Sequence, residues 1–207
     1  AANRLNFNTS QFDHVKDNRI KQWRDQEYAY DAWGNLVEKR SGLSRLQTFT
    51  YDCENRLVKA ETLVNGKLES SGAYRYDSLG RRVAKVSAVN GVPEQKHFLW
   101  QGLRMLREET PGQSSLYFYE PGSYAPLARV DQAEGGEQKL YYFHTDQIGT
   151  PLEMTDADGS IVWQATYKAW GALERLEVDD VEQNLRFQGQ YFDDETGLHY
   201  NTFRYYD

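Results

Sequence analysis

The dipeptide Tyr-Asp recurs along this chain inside a longer pattern. An aromatic residue, any residue, Tyr-Asp, two variable residues and Gly or Asn are followed by a Val seven places after the Tyr. The copies are Tyr28-Ala29-Tyr30-Asp31-Ala32-Trp33-Gly34 with Val37, Phe49-Thr50-Tyr51-Asp52-Cys53-Glu54-Asn55 with Val58, and Tyr74-Arg75-Tyr76-Asp77-Ser78-Leu79-Gly80 with Val83. The tyrosines lie 51 − 30 = 21 and 76 − 51 = 25 residues apart, the spacing of a stacked repeat array. Such an array calls for a scaffold reading before a catalytic one. Ala1-Ala2-Asn3-Arg4-Leu5 aligns with Cys53-Glu54-Asn55-Arg56-Leu57, so the chain is expected to begin inside a unit whose Tyr-Asp precedes Ala1.

Asp followed three residues later by Gly or Asn is a turn signature. The carboxylate accepts a backbone hydrogen bond two residues on, and Gly or Asn takes the left-handed conformation at low cost. A type I turn ending in such a residue joins two antiparallel strands through a one-residue bulge. The pattern occurs at Asp31/Gly34, Asp52/Asn55, Asp77/Gly80, Asp146/Gly149, Asp156/Gly159 and Asp194/Gly197, and Tyr167-Lys168-Ala169-Trp170-Gly171 keeps the frame with Lys for Asp. Before each turn of the three clear repeats the aromatics alternate with other residues, so both rings lie on one side of a strand. Tyr30, Tyr51 and Tyr76 are expected to face the same side of successive hairpins. Cross-strand aromatic pairs contribute roughly 0.2–1 kcal/mol each.

Helices compete poorly. Gly, Asn, Asp and Ser interrupt nearly every window of a dozen residues. The best helical candidate, His97 to Glu109, is split by Gly102 into two alternating arms and reads as another hairpin. The acidic stretch Arg175–Asn184 reads as a loop or a short helix. The expected fold class is all-β, built from antiparallel hairpins.

Mean hydropathy is −0.81 although 14% of the 207 residues are aromatic. Few aliphatics with many amphipathic rings suit a thin sheet wetted on both faces, or one whose inner face lines a roomy cavity. The net charge of −7 opposes nucleic acid or an anionic membrane as the direct partner. No apolar run approaches the roughly 20 residues of a membrane span.

Single constellations have ordinary readings. Cys53, the one cysteine, fills a variable turn slot held by Ala32 and Ser78 in the sister units. Asp156-Ala157-Asp158-Gly159 fails as a calcium loop, because Met154 and Ala165 fall where Asp and Glu are required. His144 and Asp146 share one face at a strand end and read as structural hydrogen bonding, with only scattered serines and threonines to complete a triad. Asp193-Asp194-Glu195 could do acid–base work or bind a cation, but reads as a solvated turn closed by Gly197. His14, His97 and His199 lack metal-ligand spacing, and Glu134-Gly135-Gly136-Glu137 would repel phosphate. No cofactor and no metal site is expected.

The Tyr-Asp units and the segments after them resemble the core of Rhs proteins, the bacterial YD-repeat family. The resemblance extends to Phe98-Leu99-Trp100-Gln101-Gly102-Leu103-Arg104 and to Tyr141-Tyr142-Phe143-His144-Thr145-Asp146-Gln147-Ile148-Gly149-Thr150-Pro151. It includes the end, Arg186 to Asp193 and Gly197 through Asn201 to Arg204-Tyr205-Tyr206-Asp207. It covers nearly all of 1–207: clear repeats over 1–85, variable hairpins over 86–140 and a closing segment over 141–207. The resemblance implies a spiral β-sheet shell enclosing a C-terminal toxin, loaded on a type VI secretion spike or adaptor. It implies assembly in the bacterial cytoplasm, then secretion or injection into a target cell. The family's self-cleaving aspartates lie in a segment after the closing Tyr-Asp, so none is carried over to this chain.

The leading reading is therefore a non-enzymatic shell segment. Its partners would be the rest of the shell, the toxin and the delivery device, with no nucleic acid and no membrane. The alternatives are a segment contributing Asp193 or Asp194 to an autoproteolytic site, and a surface adhesin whose aromatic ladder binds glycans. Both ends are expected to expose strand edges and aromatic faces, which invite pairing with another chain and self-association when the chain is alone.

Overall fold

A computed structural model describes residues 15–16, 19–169, 171–187 and 189–206. The expectation for Ala1–Leu5 and the positions of His14, Trp170 and Asp207 lie outside the described residues. The strands are β1 (Val15–Lys16), β2 (Arg19–Ile20), β3 (Gln22–Trp23), β4 (Gln26–Tyr30), β5 (Leu36–Ser41), β6 (Arg45–Tyr51) and β7 (Leu57–Val64). Next come β8 (Lys67–Tyr76), β9 (Arg82–Val89), β10 (Val92–Gln101), β11 (Arg104–Thr110), β12 (Gln113–Tyr119), β13 (Pro126–Ala133) and β14 (Gln138–Thr145). The last are β15 (Pro151–Asp156), β16 (Ile161–Tyr167), β17 (Leu173–Asp179), β18 (Tyr191–Asp193), β19 (Leu198–Asn201) and β20 (Arg204–Tyr206). No helix occurs among the described residues. The fold is all-β.

Strands β3 to β17 are hydrogen bonded in chain order in one fifteen-stranded sheet, β18–β19–β20 form a three-stranded sheet, and β1–β2 a two-stranded one. His97–Glu109 is a hairpin, as its alternation indicates, with Gly102 at φ +60°. Arg175–Asn184 departs from the loop or short helix expected of it. Its first part lies in β17, where ladder bonds to β16 satisfy the backbone and override a composition that favours neither state.

Asp52 shows how a turn is built. Its N–H donates to the Arg56 carbonyl (3.0 Å), and its own carbonyl accepts from the Asn55 N–H (3.0 Å). Its Oδ1 accepts from the N–H groups of Glu54 and Arg56, both at 2.9 Å. Asn55 stands at φ +59°. The same set of bonds occurs at Asp31, Asp77, Asp146 and Asp156. Lys168 has no carboxylate to offer yet keeps the backbone pair, donating to Ala172 (2.8 Å) and accepting from Gly171 (2.9 Å).

The valine seven places after the tyrosine acquires a geometric meaning. Ala29 pairs with Glu38 but Tyr30 with Leu36, and Thr50 pairs with Lys59 but Tyr51 with Leu57. Val37 and Val58 are thus the extra residues of β-bulges, which let pairing continue past the turn while increasing the local twist. Leu127, Leu152, Val162 and Glu174 occupy the same unpaired slot.

By contacts the described residues divide into two compact units. One comprises residues up to Tyr74 with Val86–Pro93, the other Arg75–Lys85 with Glu94 onward. In the first, the buried side chains include Phe49, Leu57, Ala60 and Tyr74, but also Lys39, Gln47, Thr62 and Ser70. Gln47 Nε2 donates to Thr62 Oγ1 at 3.2 Å, and Lys39 lies over the Tyr28 ring at 5.9 Å. Neighbouring turns are tied by Asn35 Nδ2 donating to Asn55 Oδ1 (2.8 Å). In the second unit a core of Phe98, Met105, Tyr117, Tyr141, Phe143, Met154 and Trp163 gathers Leu185, Tyr191 and Tyr200 from the closing segment.

Gly149 and Gly159 provide a controlled test, since both take left-handed φ, +83° and +85°. A Cβ at Gly159 would meet nothing within 4 Å, whereas one at Gly149 would come within 2.9 Å of Ala125 Cβ and 3.1 Å of its Cα. Gly159→Ala is expected to cost about 1–2 kcal/mol from backbone strain alone. Gly149→Ala should add about 1–3 kcal/mol of overpacking. Urea unfolding of the two variants measures the difference, and equal losses would contradict the close approach.

Candidate functional site

Every residue of the candidate site belongs to the second unit. β9 starts directly after the Asp77 turn, and its first residue, Arg82, is 0% exposed. The guanidinium lies over the rings of Tyr200 (4.2 Å), Phe98 (5.0 Å) and Tyr191 (5.5 Å). It donates through Nη1 to Asp193 Oδ2 and through Nη2 to Asp193 Oδ1 (2.9 Å). Asp193 is likewise 0% exposed. Lys85 Nζ completes the cluster, 3.3 Å from Asp193 Oδ1 and 3.0 Å from Glu195 Oε2. Two cations thus face two carboxylates in a buried site.

Backbone groups enter the same network. The Arg82 N–H donates to Tyr200 Oη (2.8 Å), and its carbonyl accepts from Trp100 Nε1 (2.7 Å). Tyr76 and Tyr205 share a hydroxyl–hydroxyl bond of 2.9 Å. Further along the face, Glu108 accepts from Tyr117 Oη (2.6 Å) and Tyr191 Oη (2.7 Å). Lys96 Nζ is 2.6 Å from Glu182 and 3.1 Å from Glu94. Burial alone would lower the Lys96 ammonium, but the Glu108 and Glu182 charges outweigh it and hold its pKa above the ordinary value. Arg186 lies over Trp163 and Phe192 and donates to the Gln183 carbonyl (2.7 Å). The result is a lock of charges and phenols that fastens β18–β20 to the aromatic face.

Asp193-Asp194-Glu195 must accordingly be corrected. The expectation of a solvated turn holds for Asp194, which is exposed, and fails for Asp193 and Glu195, which are buried. The alternation of β18 explains this: Asp193 lies on the same side as buried Tyr191. The turn is also framed differently. Gly197, at φ +72°, donates to the Asp193 carbonyl at 2.8 Å, and Thr196 donates to the same oxygen at 3.2 Å. Asp194 therefore does not anchor it as Asp31 or Asp52 anchor theirs.

The remaining sequence-derived positions are dispersed over the hairpin ends. Tyr30 Oη donates to the Ile20 carbonyl (2.9 Å), and Tyr167 Oη to the Pro151 carbonyl (2.9 Å). Tyr51 is half-buried, as is Tyr76. His144 meets Thr155 Oγ1 (3.1 Å), while Asp146 serves its own turn. Cys53 is exposed. Sequence reasoning passed over Arg82, Lys85, Lys96, Glu108, Arg129 and Asp131. A signal existed: Lys96 alternates with Phe98 and Trp100, so it shares the face of those rings, where an ammonium needs a buried partner.

The lock can be tested by breaking it one charge at a time. Arg82→Met or Asp193→Leu alone is expected to cost about 3–5 kcal/mol, since either leaves a buried charge uncompensated, while the double variant should cost much less. Urea unfolding in a double-mutant cycle measures the coupling, with exposed Asp194→Asn as the neutral control. Singles no worse than that control would refute the lock.

Alkali provides a second test. Burial first of all pushes Tyr51, Tyr167 and Tyr200 up to about 12 from the ordinary 10.0, partly offset at Tyr200 by the Arg82 N–H and its charge. The folded state resists forming tyrosinate, so this stability is whole below about pH 10 and is lost as pH rises toward 12. Tyrosinate absorbance should rise in step with unfolding. A titration centred at the ordinary value with the fold intact would contradict it.

A family model described as RHS protein matches residues 140–177. Double-stranded DNA deaminase toxin A of Burkholderia cenocepacia (strain H111) is 40% identical over 218 residues, covering 94% of this chain and 15% of that protein. Toxin protein Tse5 of Pseudomonas aeruginosa is 35% identical over 217 residues, covering 91% and 16%. The chain thus spans 15–16% of the length of these two relatives. Among solved structures, TcdB2-TccC3 matches with a TM-score of 0.61 at 18% identity, over 88% of this chain and 12% of that one. The Photorhabdus luminescens Tc holotoxin pore gives 0.59 at 17% identity, over 88% and 11%. At such identities the structural likeness speaks for the fold alone. Repeated Tyr-Asp hairpins, the matched segment in 140–177 and the similarity to named toxins over nearly all of its length agree: the chain belongs to the RHS family.

Proposed function

We propose that this chain is a wall segment of an Rhs-type shell, the part of a larger toxin protein that encloses a C-terminal toxin domain before delivery to another cell. One observation carries the reading: a fifteen-stranded hairpin array whose second unit presents a charged and aromatic face, onto which a closing three-stranded sheet is locked. A sheet of this kind confines a volume without filling it with an aliphatic core. Polar groups on the walled side suit a cargo that must not collapse onto the container.

The charged cluster supports a structural role over a catalytic one. Both oxygens of Asp193 are occupied by cations, through a two-point contact with Arg82 and a third contact with Lys85. A fully buried carboxylate that accepts three charge-assisted hydrogen bonds is held in place as an ion-pair partner. We therefore assign the toxic activity, and any self-cleaving group, to parts of the larger protein outside this segment. Its partners on this reading are the remaining shell, the enclosed toxin, and a type VI spike or adaptor as the delivery device. The larger protein would be assembled in the cytoplasm and then exported or injected.

Limited proteolysis of the full-length protein tests this. The C-terminal domain is expected to survive protease concentrations that digest the same domain on its own. Deleting residues 191–206, which hold the lock, should abolish that protection. A C-terminal domain digested as fast within the intact protein as in isolation would sink the shell reading and favour the adhesin.

A further inference from the structure

Strand parity gives the second unit another face. Phe98, Tyr117, Phe143 and Trp163 point into the aromatic core, and the residues that alternate with them lie on the opposite side. The ladder sets these alternates in two rows across the strands. In one row Leu116 pairs with Val130 and Val130 with Leu140, and Leu99 extends it across Arg107. In the other Phe118 pairs with Ala128, Ala128 with Tyr142, Tyr142 with Thr155 and Thr155 with Ile161. The rows lie about 7 Å apart, two residues along each strand. Arg107 is paired with Glu109 (2.8 Å). Leu99, Phe118, Tyr142 and Ile161 are 50%, 47%, 44% and 41% exposed. His97 and Glu109 border this belt on one side, His144 and Glu153 on the other. In the first unit, the side opposite buried Lys39, Ala60 and Thr62 carries the ion pairs Arg40–Glu38 (2.7 Å) and Lys59–Glu61 (2.9 Å). An apolar face is therefore not a requirement of the hairpin array.

The half-exposed side chains and the leucines and valine beside them leave on the order of 500 Å² of apolar surface in water. A contiguous patch of that size with a polar border marks an interaction site. Interfaces are a little over half apolar, so the patch corresponds to a contact of about 900 Å² on each partner, that of a stable complex. Shape selects the partner. The belt runs across the strands, and each strand turns the face by roughly 20–25° relative to the last. A straight helix laid along it would leave the surface within about three or four strands. Another antiparallel sheet of the same twist follows it, stacked about 10 Å away with its strands nearly aligned. The same face on a second copy has that twist, that row spacing and a border bearing both signs, which makes the contact self-complementary. We propose that this face is a dimer interface, its occupant the identical face of a second copy of the protein. The inference goes beyond the shell reading. The closing sheet packs on the aromatic face, so the contact leaves the lock intact.

Sedimentation of the full-length protein at micromolar concentration tests this. The unchanged protein is expected to run as a dimer and to remain one when salt is raised, since screening does not weaken an apolar contact. The double variant Phe118→Lys/Tyr142→Lys would bury unpaired ammonium groups in the contact and should weaken association about a hundredfold or more. Both residues are half exposed, so the variant should melt as the unchanged protein does. A photoreactive benzoylphenylalanine replacing Phe118 decides the matter if the double variant does not fold. Irradiation is expected to give a covalent dimer whose linked peptides, mapped by mass spectrometry, come from β10–β16 of both copies. The same probe at Leu43, which is fully exposed, should give none. A monomer at every concentration, a dimer that survives both lysines in a folded variant, or a probe at 118 that links only to other parts of the protein would each overturn the inference.

Discussion

Burying a guanidinium and an ammonium against two carboxylates is costly unless every charge finds its counterpart, and the closing part of this fold depends on meeting that condition. Arg82 meets it with a two-point contact to Asp193 and three aromatic faces, while Lys85 spans Asp193 and Glu195. The strand that carries Arg82 belongs to the large sheet, and the strand that carries Asp193 to the small one. Packing of Leu185, Tyr191 and Tyr200 into the aromatic core joins the two, and charge pairing and phenol hydrogen bonds add direction to that contact. Because such bonds are directional, they fix one docking geometry where a greasy contact would permit several.

The hairpin turns solve a different problem by local means. Each aspartate satisfies its own turn through the backbone, and the left-handed residue that completes the turn is Gly or Asn. At Asp52, burial pushes the carboxyl up, but the Arg56 backbone and side-chain bonds outweigh it and hold it below its ordinary value. Asp77 behaves in the same way with Arg81, whose Nη1 also reaches the Gly102 carbonyl at the following turn (2.9 Å). A repeat stabilised this way tolerates wide variation on its faces. That tolerance is what permits Lys96, Glu108, Arg129 and Asp131 to occupy positions that an ordinary sheet would give to aliphatics.

For an enclosing wall this division of labour is useful. Turns set the spacing of the strands independently of what the face carries, and the face is then free to be polar. The locked segment brings Tyr191 between Phe98 and Glu108, an edge-on ring contact at 5.3 Å on one side and a hydroxyl bond on the other. Packing and polarity are thereby satisfied by one side chain.

The sequence by itself determined whatever depends on residues close along the chain. Asp-x-x-Gly, the tyrosine alternation and Gly102 were enough for the all-β class and for the hairpins, because turn chemistry is local and strand parity has a fixed period. The bulge at Val37 and Val58 was visible as a recurring residue but not as a function, since it is defined only by which partner residue is skipped. Asp193 was beyond local reasoning. Its neighbours read as a turn in water, and only tertiary structure brings it to Arg82, which lies 111 residues away. A carboxylate's environment is set by the charges that surround it in space, and spacing along the chain carries no information about a partner so distant.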